Sequence, residues 1–161
     1  MLLGRVLKIR NWWDPVNEQI ILGAYPFAND VAALAELGVT GVVNTCHEYA
    51  GPEETYRQHQ IAQLRIPTTD FTHPTYEDVE QAVQFMDEQI ASGGRIYVHC
   101  KPGRARSATV VACWLIKNEN MTADEAQQFL LRSRGHVNRR LAARPVVQQF
   151  ELKYRAAGHQ G

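Results

Sequence analysis

One stretch of the 161 residues constrains the fold more tightly than any other: Val98-His99-Cys100-Lys101-Pro102-Gly103-Arg104-Ala105-Arg106-Ser107. Before it, Arg95-Ile96-Tyr97-Val98-His99 reads as a short strand, rich in β-branched and aromatic residues. After it, residues 107–118 are strongly apolar and contain alanines, which favours a buried helix. The five residues between Cys100 and Arg106 must therefore turn the chain from strand to helix, and Gly103 gives the freedom for a tight turn. A loop in that position can aim its backbone N–H groups inward. Completed by the helix N-terminus, it becomes a nest for a tetrahedral anion. The same field favours the thiolate form of Cys100.

The pattern is H-C-x5-R-S, and each residue has a chemical reason to be there. Cys100 is the candidate nucleophile. Arg106 offers a planar fork matching two phosphate oxygens, and it can stabilise the phosphoryl group in transit. Ser107 can donate to the Cys100 sulfur and make it a better leaving group. His99 is expected to order hydrogen bonds beneath the loop, and Lys101, Pro102, Gly103, Arg104 and Ala105 form the phosphate loop itself. A thiolate attacking a phosphate ester also needs an acid for the leaving alkoxide. Asp70 is the candidate, because it follows a strand that can lie beside the loop at one edge of a parallel sheet. The same carboxylate can then take a proton from the hydrolytic water. Asp78 is the alternative, although its place three residues after Thr75 suits a helix cap. His47, His59, His73 and His136 show no ligand spacing, so neither a metal nor a cofactor is expected.

Elsewhere strands and helices alternate. Strands are expected at 19–23, 39–45 and 62–66, and helices at 31–37 (capped by Asn29 or Asp30), 75–91, 122–133 and from Arg144-Pro145 onward. Thr122 with Glu125 has the form of a capping box. Residues 48–60 are polar, a loop with a helical part. The class is α/β, with a small, mainly parallel sheet flanked by helices, in one domain spanning 1–161.

Seventeen Lys and Arg balance seventeen Asp and Glu. That balance argues against a uniformly basic nucleic-acid binder. The balance is uneven along the chain, however. From Phe129 onward there are seven basic residues and a single acid, Glu151, and Arg5, Lys8 and Arg10 open the chain. These segments would suit peripheral contact with an anionic membrane surface. Lys101 and Arg104 add cations to the loop, which favours a substrate with further negative groups beside the phosphomonoester. Trp12 and Trp13 are candidates for interfacial anchors, with core packing expected of at least one. Three sparse cysteines, Cys46, Cys100 and Cys113, indicate a reducing compartment. No apolar run reaches the length of a membrane span, and the first residues do not form a signal peptide.

The H-C-x5-R-S stretch is the signature of cysteine-dependent protein tyrosine and dual-specificity phosphatases, and the whole chain resembles that fold. Trp12-Trp13-Asp14, Ile21 to Pro26, Gly41-Val42-Val43-Asn44, Gln63 to Asp70, Tyr97 to Lys101 and Arg104 to Thr109 resemble, in order, the subfamily of the mitochondrial PTP-like phosphatases. Its members remove the terminal phosphate of phosphatidylglycerophosphate on the way to cardiolipin. The resemblance implies Cys100 as nucleophile, Arg106 as phosphate clamp and Asp70 as general acid, acting through a phosphocysteine on an anionic phospholipid. A dual-specificity protein phosphatase is the alternative. In that subfamily the loop after the second strand is acidic around a tyrosine; here it carries Glu48 and Tyr49, and Pro102 stands where alanine is common. Some relatives also pair the nucleophile with a second cysteine, which makes Cys46 a candidate redox partner for Cys100. The organelle-targeting extension of eukaryotic members is missing. That implies a cytoplasmic, membrane-peripheral enzyme, or a mitochondrial one if the chain is a trimmed eukaryotic form. It is expected to be monomeric.

Overall fold

The computed structural model describes residues 12–159. Its five-stranded sheet comprises β1 (Trp13–Pro15), β2 (Ile20–Ala24), β3 (Val39–Cys46), β4 (Ala62–Thr68) and β5 (Arg95–Cys100), in the order β1-β2-β5-β3-β4. All neighbours are parallel except β1 and β2, which form an antiparallel hairpin. β5 is thus the central strand, and Cys100 is its last residue. The helices are α1 (Val31–Glu36), α2 (Glu53–Gln58), α3 (Tyr76–Ala91), α4 (Arg106–Asn118), α5 (Ala123–Ser133) and α6 (Pro145–His159).

Period-two alternation sorts the strand residues between two cores. Ile20, Leu22, Val43, Ile96 and Val98 pack on one face with α3, α4, α5 and α6. Ile21, Val42 and Tyr97 pack on the other with Val31, Leu34, Tyr56 and Ile61. Counting along β5, Cys100 falls on the Ile96 and Val98 side, toward α4. That helix is buried without interruption from Arg106 to Ile116, which explains why its sequence is apolar all round.

The expected caps are present at two helices. Thr75 Oγ1 accepts from the Asp78 N–H at 3.2 Å, and Thr122 and Glu125 bond reciprocally at 3.1 and 3.0 Å. The start of α1 differs from expectation. A turn of 3₁₀ helix, Ala28–Asp30, precedes it, and the Asp30 carboxylate reaches back to the Phe27 N–H at 2.8 Å instead of capping forward. Trp13 packs edge-on against Tyr97 at 5.8 Å, whereas Trp12 is half-exposed beside Phe27 at 6.1 Å. Arg5, Lys8 and Arg10 lie outside the described residues.

Candidate active site

The loop from 101 to 105 curls back over the end of β2. Gly103 adopts φ +70°, and a side chain there would collide with the Gly23 carbonyl. Glycine is required both by the backbone angle and by this close approach. The Gly103 N–H then points to Cys100 Sγ at 3.2 Å, and Ser107 Oγ lies 3.1 Å from the same sulfur. Cys100 is buried, so these contacts make up much of its polar surroundings.

What turns the loop's N–H groups inward is seen on its outer side. Arg134 is buried, and it donates Nε to the Gly103 carbonyl at 3.0 Å and Nη2 to the Pro102 carbonyl at 2.8 Å. Its Nη1 pairs with Asp14 Oδ2 at 2.8 Å, which ties the loop to β1. The sequence gives no local sign of this role, because Arg134 lies 31 and 32 residues from the carbonyls it holds. Arg134→Met should lower stability by about 3–5 kcal/mol, because it removes the guanidinium that pairs with a largely buried Asp14 and holds two loop carbonyls. Denaturant unfolding checks this, and an undiminished midpoint would contradict it.

Arg106 opens α4 and is 2% exposed. Its Nη1 donates to Glu48 Oε1 at 2.8 Å and to the Thr68 carbonyl at 2.9 Å, and its Nη2 to Glu48 Oε2 at 3.0 Å. A guanidinium has five N–H donors. These bonds use three of them and leave Nε–H and one Nη2–H along a single edge. Burial works against the charge of Arg106, but Glu48 and the charge of Cys100 outweigh it and raise its pKa. In return, the bond from Arg106 draws the Glu48 carboxyl down to about 2.

The position of Glu48 follows from its loop. The Asn44 amide donates to the Tyr49 carbonyl at 2.7 Å, and its oxygen accepts from the Cys46 N–H at 2.8 Å. Arg65 Nη2 donates to the Cys46 carbonyl at 3.1 Å. Glu48 is the site residue that motif reasoning left without a role. The available signal was an acid beside Tyr49 in a loop expected to be acidic.

Asp70 follows β4, and its Oδ1 lies 3.6 Å from Arg106 Nη2. The next residue, Phe71, has φ +65° and is fully exposed. A cavity of about 300 Å³ brings Asp70, Cys100 and Arg106 together with Pro102, Arg104 and Ala105. Phe71, Thr72, Asn138 and Arg144 complete its wall. Asp78 stays in the first turn of α3, where its N–H donates to the Thr75 cap, and does not line the cavity.

Other expected loop residues are placed differently. His99 is wholly buried behind the loop, with Nδ1 3.4 Å from the Cys100 carbonyl and its ring against Tyr97. Burial lowers its pKa to about 3, so the ring is neutral. Lys101 is exposed and does not line the cavity. Arg104 does line it, but its Nε is turned to the His136 carbonyl at 2.6 Å. The loop therefore does not gather three cations inward. Cys46, at the end of β3, is a buried free thiol whose pKa is pushed up to about 12, first by burial and then by the charge of Cys100.

The basic C-terminal stretch is also not one uniform surface. Arg134 is buried on Asp14, Lys153 pairs with Glu80, and Arg155 donates to Asn120. Arg139 and Arg140 remain exposed beside Arg104 and His136 in a shallow concavity next to the site. No helix among the described residues is long and apolar enough to cross a membrane.

These features agree with the comparisons. Phosphatidylglycerophosphate phosphatase PTPMT1 of Arabidopsis thaliana is 40% identical over 146 residues, covering 88% of this chain and 43% of that protein. PTPMT2 of the same plant is 39% identical over 86% of this chain and 62% of its own length, so the chain spans about half the length of these two relatives. The mouse phosphatidylglycerophosphatase and protein-tyrosine phosphatase 1 is 34% identical over 92% of this chain and 81% of its own. The crystal structure of PTPMT1 in complex with PI(5)P superposes with a TM-score of 0.85 at 31% identity, covering 92% of this chain and 99% of that one. The family described as dual specificity phosphatase, catalytic domain, matches residues 20–152. With a mostly parallel sheet that delivers a cysteine into an arginine-closed loop, and with these relatives, the chain belongs to the cysteine-based dual-specificity phosphatase family.

Proposed function

We propose that this chain hydrolyses the phosphomonoester of phosphatidylglycerophosphate, or of a similar anionic phospholipid, through a phosphocysteine. The observation that supports the chemistry is that Cys100, Arg106 and Asp70 line one cavity, with Asp70 Oδ1 3.6 Å from Arg106 Nη2. The Cys100 thiolate attacks phosphorus, and the bond to the leaving oxygen breaks as Asp70 gives that oxygen a proton. Arg106 and the loop N–H groups hold the phosphoryl oxygens throughout. Asp70, now ionised, takes a proton from water. The hydroxide so formed attacks phosphorus, the S–P bond breaks, and the hydrogen bond from Ser107 eases departure of the sulfur.

The lipid assignment is supported by the relatives named for phosphatidylglycerophosphate and by the one crystallised with a phosphoinositide. The exposed Phe71, on the rim beside the acid, is suited to an acyl or interfacial contact. Protein phosphotyrosine is the second reading, favoured by the mouse relative's second activity. The test is phosphate release from phosphatidylglycerophosphate vesicles and from phosphotyrosine and phosphothreonine peptides, with wild type and Asp70→Asn. The lipid should have the highest kcat/KM. Asp70→Asn should lower kcat by about 10²-fold on the alkyl lipid ester and less on an aryl phosphate, whose leaving group is the weaker base and needs less help from an acid. A preference for peptides overturns the lipid reading, and equal losses on both esters remove Asp70 as the acid.

A further inference from the structure

The proposed reaction requires one arginine at the phosphate, yet the cavity wall holds two more that this mechanism does not use, Arg104, turned by its Nε to the His136 carbonyl, and Arg144. Arg144 stands immediately before α6, half-buried, on the cavity that contains Cys100. Its orientation is fixed from below by a two-step relay. Nη1 donates to Thr109 Oγ1 at 2.7 Å, and that hydroxyl donates to the Ala105 carbonyl at 2.7 Å, in the phosphate loop itself. Thr109 is wholly buried, so the relay belongs to the packed base of the site.

The fully buried arginines of this region contrast with it. Arg106 is paired with Glu48 and Arg134 with Asp14, whereas no carboxylate lies within 4 Å of Arg144 among the described residues. A guanidinium half-removed from water without a counter-ion is electrostatically costly. Burial accordingly lowers its pKa, and the charge of Cys100, which is within electrostatic reach, works the other way. Asn138 stands on the same wall. Its side-chain oxygen accepts from the Arg140 N–H at 2.7 Å, so what it has left to offer a ligand is its NH₂ donor.

We propose that Arg144, with Asn138, forms a second anion subsite in the cavity, which binds a negatively charged group carried by the leaving portion of the substrate, such as a phosphodiester or a second phosphate. The proposal rests on the phosphomonoesterase reading above and deepens it. It places the cation that reads the second charge on the far wall and not at Lys101, which lies outside the cavity. Arg144 adds both charge and a two-pronged donor, so the group it prefers is an anion with two accessible oxygens. A phosphodiester in a lipid headgroup and a second monoester on a polyol meet that description equally.

The test uses full-length Cys100→Ser, which cannot turn substrate over, with and without Arg144→Gln, Arg144→Lys or Thr109→Val. Each protein is titrated calorimetrically with inorganic phosphate, water-soluble short-chain phosphatidylglycerophosphate and an inositol bisphosphate. Arg144→Gln should weaken a two-anion ligand about 10–100-fold more than inorganic phosphate, the range expected for a lost charged hydrogen-bonding partner. Arg144→Lys should restore part of that difference, and Thr109→Val should reproduce part of the loss. Whichever two-anion ligand shows the larger differential identifies the source of the second charge. Equal weakening for phosphate and for both two-anion ligands overturns the proposal, as does wild-type-like affinity in Arg144→Gln. The lipid reading stands or falls separately, on turnover by the wild type.

Discussion

Cys100→Ser should reduce phosphate release by on the order of 10⁴-fold or more on every substrate, while the fold and phosphate binding survive. Serine is slightly smaller than cysteine and keeps a hydrogen-bonding atom for the Gly103 N–H and the Ser107 hydroxyl, so the loop keeps its partners. What is lost is the nucleophile. An alcohol is almost entirely protonated at neutral pH. His99 is the nearest imidazole in sequence, but it is buried behind the strand and bonded to a backbone carbonyl. Burst-phase kinetics and trapping of a phosphorylated protein check the assignment. Wild type should accumulate a phosphocysteine on acid quench, and Cys100→Ser none. Turnover by the variant within tenfold of wild type would refute covalent catalysis at this residue.

Arg106→Ala should cost about 10³-fold in kcat/KM, the scale of removing a preorganised donor from the transition-state oxygens. Lysine should recover little, since it cannot present two donors along one edge. The change also leaves Glu48 facing Asp70 and Cys100, three potential anions with no cation between them. Because the Glu48 side chain is 37% exposed, water can resolvate it, and most of the damage should fall on catalysis and not on stability. Glu48→Gln separates the two effects. It leaves Arg106 charged and its phosphate-facing edge open, but it removes the carboxylate that aims that edge. Its loss should be smaller than that of Arg106→Ala. Equal losses measured side by side would mean that the pair acts only by shaping the loop.

Much of this was legible in the sequence because it is local. The strand, the turning glycine and the buried helix around Cys100 are contiguous, and their spacing alone implies an anion nest. Capping at Thr75 and Thr122 is likewise a matter of three residues. Asp70 could be named because a strand precedes it. What escaped notice depends on contacts between distant segments. Arg134 grips the loop from α5, Glu48 reaches Arg106 across 58 residues, and Arg144 touches Thr109 across 35. In a list of charges these residues look alike. The basic C-terminal stretch is divided for that reason, since the fold spends the same charge in different ways. Lys101 misled for a related reason: it is exposed and outside the cavity, so proximity in sequence to Cys100 does not by itself put a cation near the phosphate.

The unbroken burial of α4 has a consequence for how the enzyme divides its labour. Arg106 and Ser107 are the first two residues of the most protected element, and Cys100 ends the central strand, so neither can loosen without the core opening. Asp70 belongs to a different mechanical regime, at a sheet edge next to a residue wholly in solvent. Phosphate recognition is therefore built into the part of the molecule that tolerates least change. The proposed proton donor sits where sequence drift could retune the choice of leaving group without touching the proposed nucleophile and its loop.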